Sequence, residues 1–237
     1  MSYSRNKPVN AHYSQNEIIN KSLIHKLVNQ SGIDQGDPVY DIGAGTGNIT
    51  GVLSAKGARV MAIEKEERLF LELKRRFTAE DNIRVYHADF LEMELPPTGI
   101  YKVFANIPFF HTAEIIKKLL FNKAPPEDCY LVVQKEAAEK YAGIPADTLV
   151  SLLIKPRFWV DILYYFKRKD FSPPPAVDIV LIQFQQRKCP LVPESLYGLY
   201  QEFIIECREG TNRTVKQVLK NYLDFSQHRL PCPSGRA

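Results

Sequence analysis

No run of about 18 or more apolar residues, the length needed to cross a bilayer as a helix, occurs in the 237-residue chain. The first ten residues, Met1 to Asn10, are polar and contain no hydrophobic signal core. A cytoplasmic protein with no membrane partner is therefore expected. Cysteine is sparse: Cys129, Cys189, Cys207 and Cys232 are widely separated, without the close pairs of a zinc site or a redox motif, and should be reduced structural thiols. His12, His25, His87, His111 and His228 share no ligand spacing, so no metal is predicted. Net charge is also small, +4, which by itself names no partner. Its distribution is uneven: from Ser151 to Ala237 there are 13 Lys or Arg against 8 Asp or Glu, and the remainder is nearly balanced. A basic C-terminal third fits a nucleic-acid-facing surface, and solvated surface lysines are the other reading. Internal repeats and low-complexity tracts are absent as well.

What is present is an alternation of strands and helices. Asn16 to Val28 carries Ile18, Ile19, Leu23 and Leu27 at helical spacing ahead of a Ser31-Gly32 stop. Val39 to Ile42 is an apolar run ending in Gly43-Ala44-Gly45-Thr46-Gly47, after which Ile49, Val52 and Leu53 predict a helix. Arg59–Ile63 and Ile83–His87 read as strands flanking a charged helix over Glu67–Phe77. Tyr101–Ala105 and Tyr130–Val133 read as strands separated by a helix near Ala113–Leu120. Repeated βα units predict a mostly parallel sheet with helices on both faces. Trp159–Phe166 and Val177–Phe184, joined by a turn with Pro173, Pro174 and Pro175, predict an antiparallel final pair at the sheet edge. Two further helices are expected, one through Leu196, Leu199, Tyr200, Phe203 and Ile204 and one near Val215–Tyr222, before a polar tail at Ser226–Ala237. The division is residues 1–187 as the main domain and 188–237 as a small helical C-terminal domain with a disordered tail.

Asp41-Ile42-Gly43-Ala44-Gly45-Thr46-Gly47 sits at the carboxyl end of the first strand, where an α/β sheet binds its ligand. A dinucleotide fingerprint needs a third glycine at position 48, which is Asn48, so a nicotinamide enzyme is disfavoured. Glu64 closes the second strand about twenty residues on, where a carboxylate can accept both ribose hydroxyls. Asp89, after the third strand, is placed to hydrogen-bond an adenine amino group. The two acids in series specify a nucleoside cofactor without a pyrophosphate; taken singly, each also fits a solvated charge at a loop end.

Asn106-Ile107-Pro108-Phe109 directly follows the next strand. An adenine amino nitrogen is a poor nucleophile because its lone pair is delocalised into the ring. The Asn106 side-chain carbonyl and a main-chain carbonyl such as that of Ile107 can accept its two hydrogens and align it. Pro108 stiffens the turn, and Phe109 can stack on a base taken out of its helix. Alone, such a tetrapeptide is also an ordinary strand-to-helix turn.

In combination, Gly43 to Gly47, Glu64, Asp89 and Asn106 to Phe109 resemble the ribosomal-RNA adenine N6-methyltransferase superfamily, especially the Erm methyltransferases of macrolide resistance. The resemblance covers roughly Ser14 to Gln186. Ser14-Gln15-Asn16 resembles the N-terminal motif that closes the cofactor site, although Glu17 replaces the usual aromatic. Gln134 to Tyr141 resembles the segment after the fifth strand. Phe171-Ser172-Pro173-Pro174-Pro175-Ala176-Val177 resembles a loop whose leading aromatic lies near the target base, which makes Phe171 a second stacking candidate or a hydrophobic loop anchor.

The resemblance implies a Rossmann-like class I methyltransferase: an α/β fold with a seven-stranded mostly parallel sheet, an antiparallel edge strand and a small C-terminal helical domain. It implies S-adenosyl-L-methionine as cofactor, held by Gln15, Asn16, Asp41, Gly43, Gly45, Glu64, Lys65, Asp89, Phe90 and Asn106, with Asn106, Ile107, Pro108, Phe109 and Phe171 at the reacting base. The implied partner is protein-free or early-assembly large-subunit ribosomal RNA, and the implied state a monomer. The KsgA/Dim1 enzymes of small-subunit assembly share this chemistry but commonly have Leu and Tyr where this chain has Ile107 and Phe109, and a larger C-terminal domain. DNA adenine methyltransferases usually carry a second proline at position 107. A non-catalytic RNA-binding module on the same fold is the alternative of another class.

Overall fold

The computed structural model describes residues 16–96 and 99–209. In chain order its elements are β1 (Glu17–Ile18), α1 (Lys21–Gln30), β2 (Pro38–Ile42), α2 (Asn48–Ala55), β3 (Arg59–Glu64), α3 (Glu67–Arg76), β4 (Ile83–His87), β5 (Lys102–Asn106), α4 (Thr112–Leu120), β6 (Asp128–Gln134), α5 (Lys135–Ala142), α6 (Leu149–Ile154), β7 (Phe158–Tyr165), β8 (Phe171–Ser172), β9 (Ile179–Gln186) and α7 (Glu194–Glu209).

Seven strands form one sheet in the order β4-β3-β2-β5-β6-β9-β7. The pairs β4/β3, β3/β2, β2/β5 and β5/β6 are parallel, and β9 is antiparallel to both of its neighbours. The predicted antiparallel pair is therefore present at one edge, and the reversed strand is β9, one in from that edge. Central strands covered on both faces need apolar side chains on both, and β5 and β6 are buried along nearly their whole length. The two faces carry separate cores. Val103, Ala105, Leu131 and Ile182 pack with α4 on one; Phe104, Tyr130, Val132 and Leu181 pack with α1 and α2 on the other.

Local chemistry sets the helix limits. α1 starts where the Asn20 side chain accepts from Leu23 N at 3.1 Å, and it buries Leu23, Ile24, Leu27 and Val28 along one stripe. The expected helix from Asn16 is thereby shortened, because Glu17 and Ile18 pair instead with Ser172 and Phe171 as a two-stranded ribbon. α3 has Glu67 in its first turn and Lys74, Arg75 and Arg76 in its last, signs that match the helix dipole.

Beyond β9, α7 leans on α6. Tyr200 Oη donates to Leu152 O at 2.8 Å, Tyr197 Oη donates to Leu153 O, and the Arg157 guanidinium lies over the Tyr197 ring. The expected helix near Val215–Tyr222 and the tail lie outside the described residues. No described helix is long and apolar enough to cross a membrane.

Candidate active site

Parallel strands bring the ends of β2, β3 and β5 to one edge of the sheet, and the Gly43–Gly47 loop lies across them. Gly43 N and Ala44 N both point at Ile63 O, at 2.9 and 3.0 Å. At Gly47, the left-handed φ of 84° and close packing both demand glycine: a Cβ would stand 2.5 Å from a Phe77 ring carbon and 2.7 Å from Leu73 Cδ2.

Glu64 ties loop to strand. Only 5% exposed, it accepts from Gly45 N at 2.9 Å through one carboxylate oxygen and from Glu66 N at 2.8 Å through the other. Each oxygen keeps a further lone pair, as acceptance of ribose hydroxyls requires. Asp41, at the buried end of β2, accepts from the Thr50 hydroxyl at 2.6 Å, while its Oδ1 is buried without a partner. Burial, aided by the nearby Glu64 charge and opposed by the Thr50 hydrogen bonds, pushes its carboxyl up to about 7.

Two cavities flank the glycine loop. One, of about 390 Å³, is lined by Glu17, Asp41, Gly45, Thr46 and Asn106 among others. The second, of about 180 Å³, lies between Ile42, Ile63, Glu64 and Asp89, Phe90, Pro108. Gly43, Glu66 and Leu69 line both. The second offers apolar walls and three acids, Glu64, Glu66 and Asp89, as a nucleoside with its ribose hydroxyls and amino group can use. The first offers an orphaned carboxylate oxygen, suited to a cationic amino-acid portion. Together they fit S-adenosylmethionine.

Other expected cofactor residues are differently engaged. Asp89 accepts from Lys65 Nζ at 2.6 Å and from Leu91 N at 2.9 Å. Burial would raise its carboxyl, but these two donors outweigh burial and hold it below the usual range. Lys65 thus reaches Asp89 with its side chain. Phe90 is buried and lines the second cavity, with the Lys118 ammonium 5.3 Å from its ring centre.

Asn106 ends β5. Its Nδ2 donates to Asn16 O at 2.8 Å, and Asn16 Nδ2 in turn donates to Pro173 O at 2.7 Å. With the amide so fixed, Asn106 Oδ1 is buried with no hydrogen-bond partner. Ile107 is core. Pro108 O accepts from His111 N at 3.0 Å, forming a short 3-10 turn, and Phe109 is half-buried against the core with its carbonyl accepting from the Thr112 hydroxyl.

Phe171 is not brought to the cleft. It is 2% exposed and packs edge-on against Phe166 at 5.3 Å, so in this structure it is the hydrophobic anchor of its loop and presents no face for base stacking. Its neighbour Ser172, by contrast, lines the larger cavity. Gln15 lies outside the described residues. Asn16 holds the Asn106 amide through its main-chain carbonyl.

Spacing gave no sign of Glu17, Thr46 and Asn48. Glu17 Oε1 accepts from the Thr46 hydroxyl and from Asn48 Nδ2, binding β1 to the glycine loop, and Asn48 Nδ2 also donates to Ile18 O at 3.1 Å. The only available signal was the carboxylate standing in place of an aromatic at position 17. Among the described residues, no group of three or more His, Cys, Asp or Glu is placed to hold a metal.

A sequence model of the ribosomal RNA adenine dimethylase family matches residues 6–232. The chain is similar to a ribosomal RNA small subunit methyltransferase A of Caldanaerobacter subterraneus subsp. tengcongensis, 29% identical across 92% of this chain and 84% of the relative. It is similar too to an rRNA adenine N-6-methyltransferase from Escherichia coli, 27% identical across 88% and 82%. Among solved structures, the 23S rRNA methyltransferase ErmE superposes with a TM-score of 0.78 at 25% identity, over 87% of this chain and 84% of that one.

Proposed function

The chain belongs to the ribosomal RNA adenine dimethylase family, and from that premise we propose that it transfers methyl from S-adenosylmethionine to N6 of an adenine in large-subunit ribosomal RNA, in the cytoplasm. Macrolide, lincosamide and streptogramin B resistance would follow from such a modification.

The observation that carries the reading is the buried, unpartnered Asn106 Oδ1. An unsatisfied buried carbonyl is costly, and an amino group with two hydrogens is the donor that satisfies it. Asn106 Oδ1 accepts one N6 hydrogen and the Ile107 main-chain carbonyl the other, which aligns the nitrogen lone pair for attack. Phe109 covers the base. The cofactor, when bound, supplies an already activated methyl on a sulfonium, so the protein's part is positioning. Transfer of that methyl would leave a neutral thioether, and the excess N6 proton would pass to water. Glu64 would hold the ribose, and Asp41 would face the cationic amino-acid end of the cofactor.

Large-subunit RNA is favoured by the ErmE likeness and by Ile107 and Phe109, where small-subunit enzymes commonly have Leu and Tyr. The second reading, small-subunit RNA, is favoured by the name of the Caldanaerobacter relative. The test is to incubate the protein with methyl-labelled S-adenosylmethionine and protein-free large-subunit RNA, then digest to nucleosides. Label in N6-methylated adenosine, sharply reduced with Asn106→Ala, supports the proposal. Label on another nucleoside, or undiminished label with Asn106→Ala, contradicts it.

A further inference from the structure

Phe110 follows the tetrapeptide Asn106–Phe109 and is 89% exposed, the most exposed large apolar side chain among the described residues. Its mount is rigid. The 3-10 turn Phe109–His111 is closed by the His111 N–H on Pro108 O, and the Thr112 hydroxyl donates to Phe109 O. The turn runs straight into α4, whose Ile115, Ile116, Leu119 and Leu120 are buried. The backbone thus sends two consecutive rings in different directions: Phe109 is partly packed on the core, and Phe110 stands in water.

An isolated exposed phenylalanine is ordinary on a protein surface, but this one adjoins the residues assigned to the target base. Taking an adenine out of a helix unstacks its neighbours. An aromatic ring beside the pocket can replace the lost stack without reading base identity. Phe171, the second candidate for stacking on the target base, is enclosed.

We propose that Phe110 is a substrate-positioning residue that stacks on the nucleobase flanking the target adenine in the RNA strand. This rests on the adenine-methylating reading above. Phe110 touches neither the reacting nitrogen nor the cofactor, so its loss weakens RNA binding and leaves cofactor affinity and the chemical step unchanged.

The test compares Phe110→Ala, Phe110→Leu and Phe110→Trp with the wild type in the full chain. KM and kcat on protein-free large-subunit RNA are measured alongside S-adenosylmethionine affinity and thermal midpoint. Fluorescence is read from a short RNA carrying 2-aminopurine next to the mapped methylation site. Stacking of about 1–3 kcal/mol per base corresponds to a rise in KM for RNA of about 5- to 150-fold in Phe110→Ala. The proposal expects that rise with little change in kcat, recovery in Phe110→Trp but not in Phe110→Leu, and loss of 2-aminopurine quenching in Phe110→Ala. Unchanged KM and quenching in Phe110→Ala, or equal recovery by Phe110→Leu, overturns it while the parent reading stands on wild-type methylation. A wild type that binds S-adenosylmethionine but methylates no RNA adenine overturns both.

Discussion

Asn106 donates its side-chain N–H to the main-chain carbonyl of Asn16, 2.8 Å away and ninety positions earlier in the chain. That one bond decides which end of the amide faces the cleft, and it leaves Oδ1 as the acceptor. Asn106→Ala should lower kcat for RNA methylation by about 10²- to 10³-fold, the cost of losing one preorganised transition-state contact. Affinity for S-adenosylmethionine should fall far less. Single-turnover transfer and calorimetric titration separate the two, and an equal loss in both would assign Asn106 to cofactor binding alone.

Glu64 satisfies two backbone N–H groups and still has lone pairs for a ribose. Glu64→Ala removes the charge-assisted acceptor and strands Gly45 N and Glu66 N. Cofactor affinity should weaken by about 10- to 100-fold, given roughly 1.5–3 kcal/mol for hydrogen bonds to charged groups. Titration of S-adenosylhomocysteine, which retains the ribose, should show the same loss.

Asp41 predicts a pH dependence. Its carboxyl is raised to about 7 by burial, so the folded state holds the proton more tightly than the unfolded chain. Its contribution to stability therefore declines as pH climbs from about 4 to about 7. A cationic ligand beside the unpartnered Oδ1 favours the carboxylate, so S-adenosylmethionine affinity should rise across roughly pH 6 to 8, with proton release on binding. Calorimetry in buffers of different ionisation enthalpy measures that release, and Asp41→Asn should flatten the profile.

The two phenylalanines of the expected base pocket should separate by experiment. Phe171→Ala removes a fully enclosed ring and should cost about 3–5 kcal/mol of stability. Phe109→Ala, at a half-buried position, should cost less stability and more kcat/KM on RNA. Urea unfolding beside steady-state kinetics checks the contrast.

These two positions also show how far the sequence could be read. Strands such as β5 and β6 were visible because burial on both faces requires unbroken apolar runs, and the glycine loop because its backbone geometry excludes side chains at Gly47. Glu64 and Asn106 are legible as candidates by their places after strands, a local property. Phe171 needs knowledge of what packs on it, since it shares a core cluster with Phe166 and with its strand partner Ile18, the latter far away in the chain. The same ribbon hid the true start of α1, because two-residue strands carry no periodicity. Glu17 was invisible as a site residue for a like reason: its partners Thr46 and Asn48 are set by how β1 folds over the loop. α5 and α6, at Lys135–Ala142 and Leu149–Ile154, leave little periodic signal in the sequence because each is short.

The choice of RNA is tested most directly by competition. Protein-free large-subunit RNA and intact small ribosomal subunits, in equimolar amounts, are offered together to the protein with limiting labelled S-adenosylmethionine, and the label on each is counted. The account predicts that the label enters a single adenine of the large-subunit RNA. Label confined to the small subunits would contradict it and assign the same active site to small-subunit RNA.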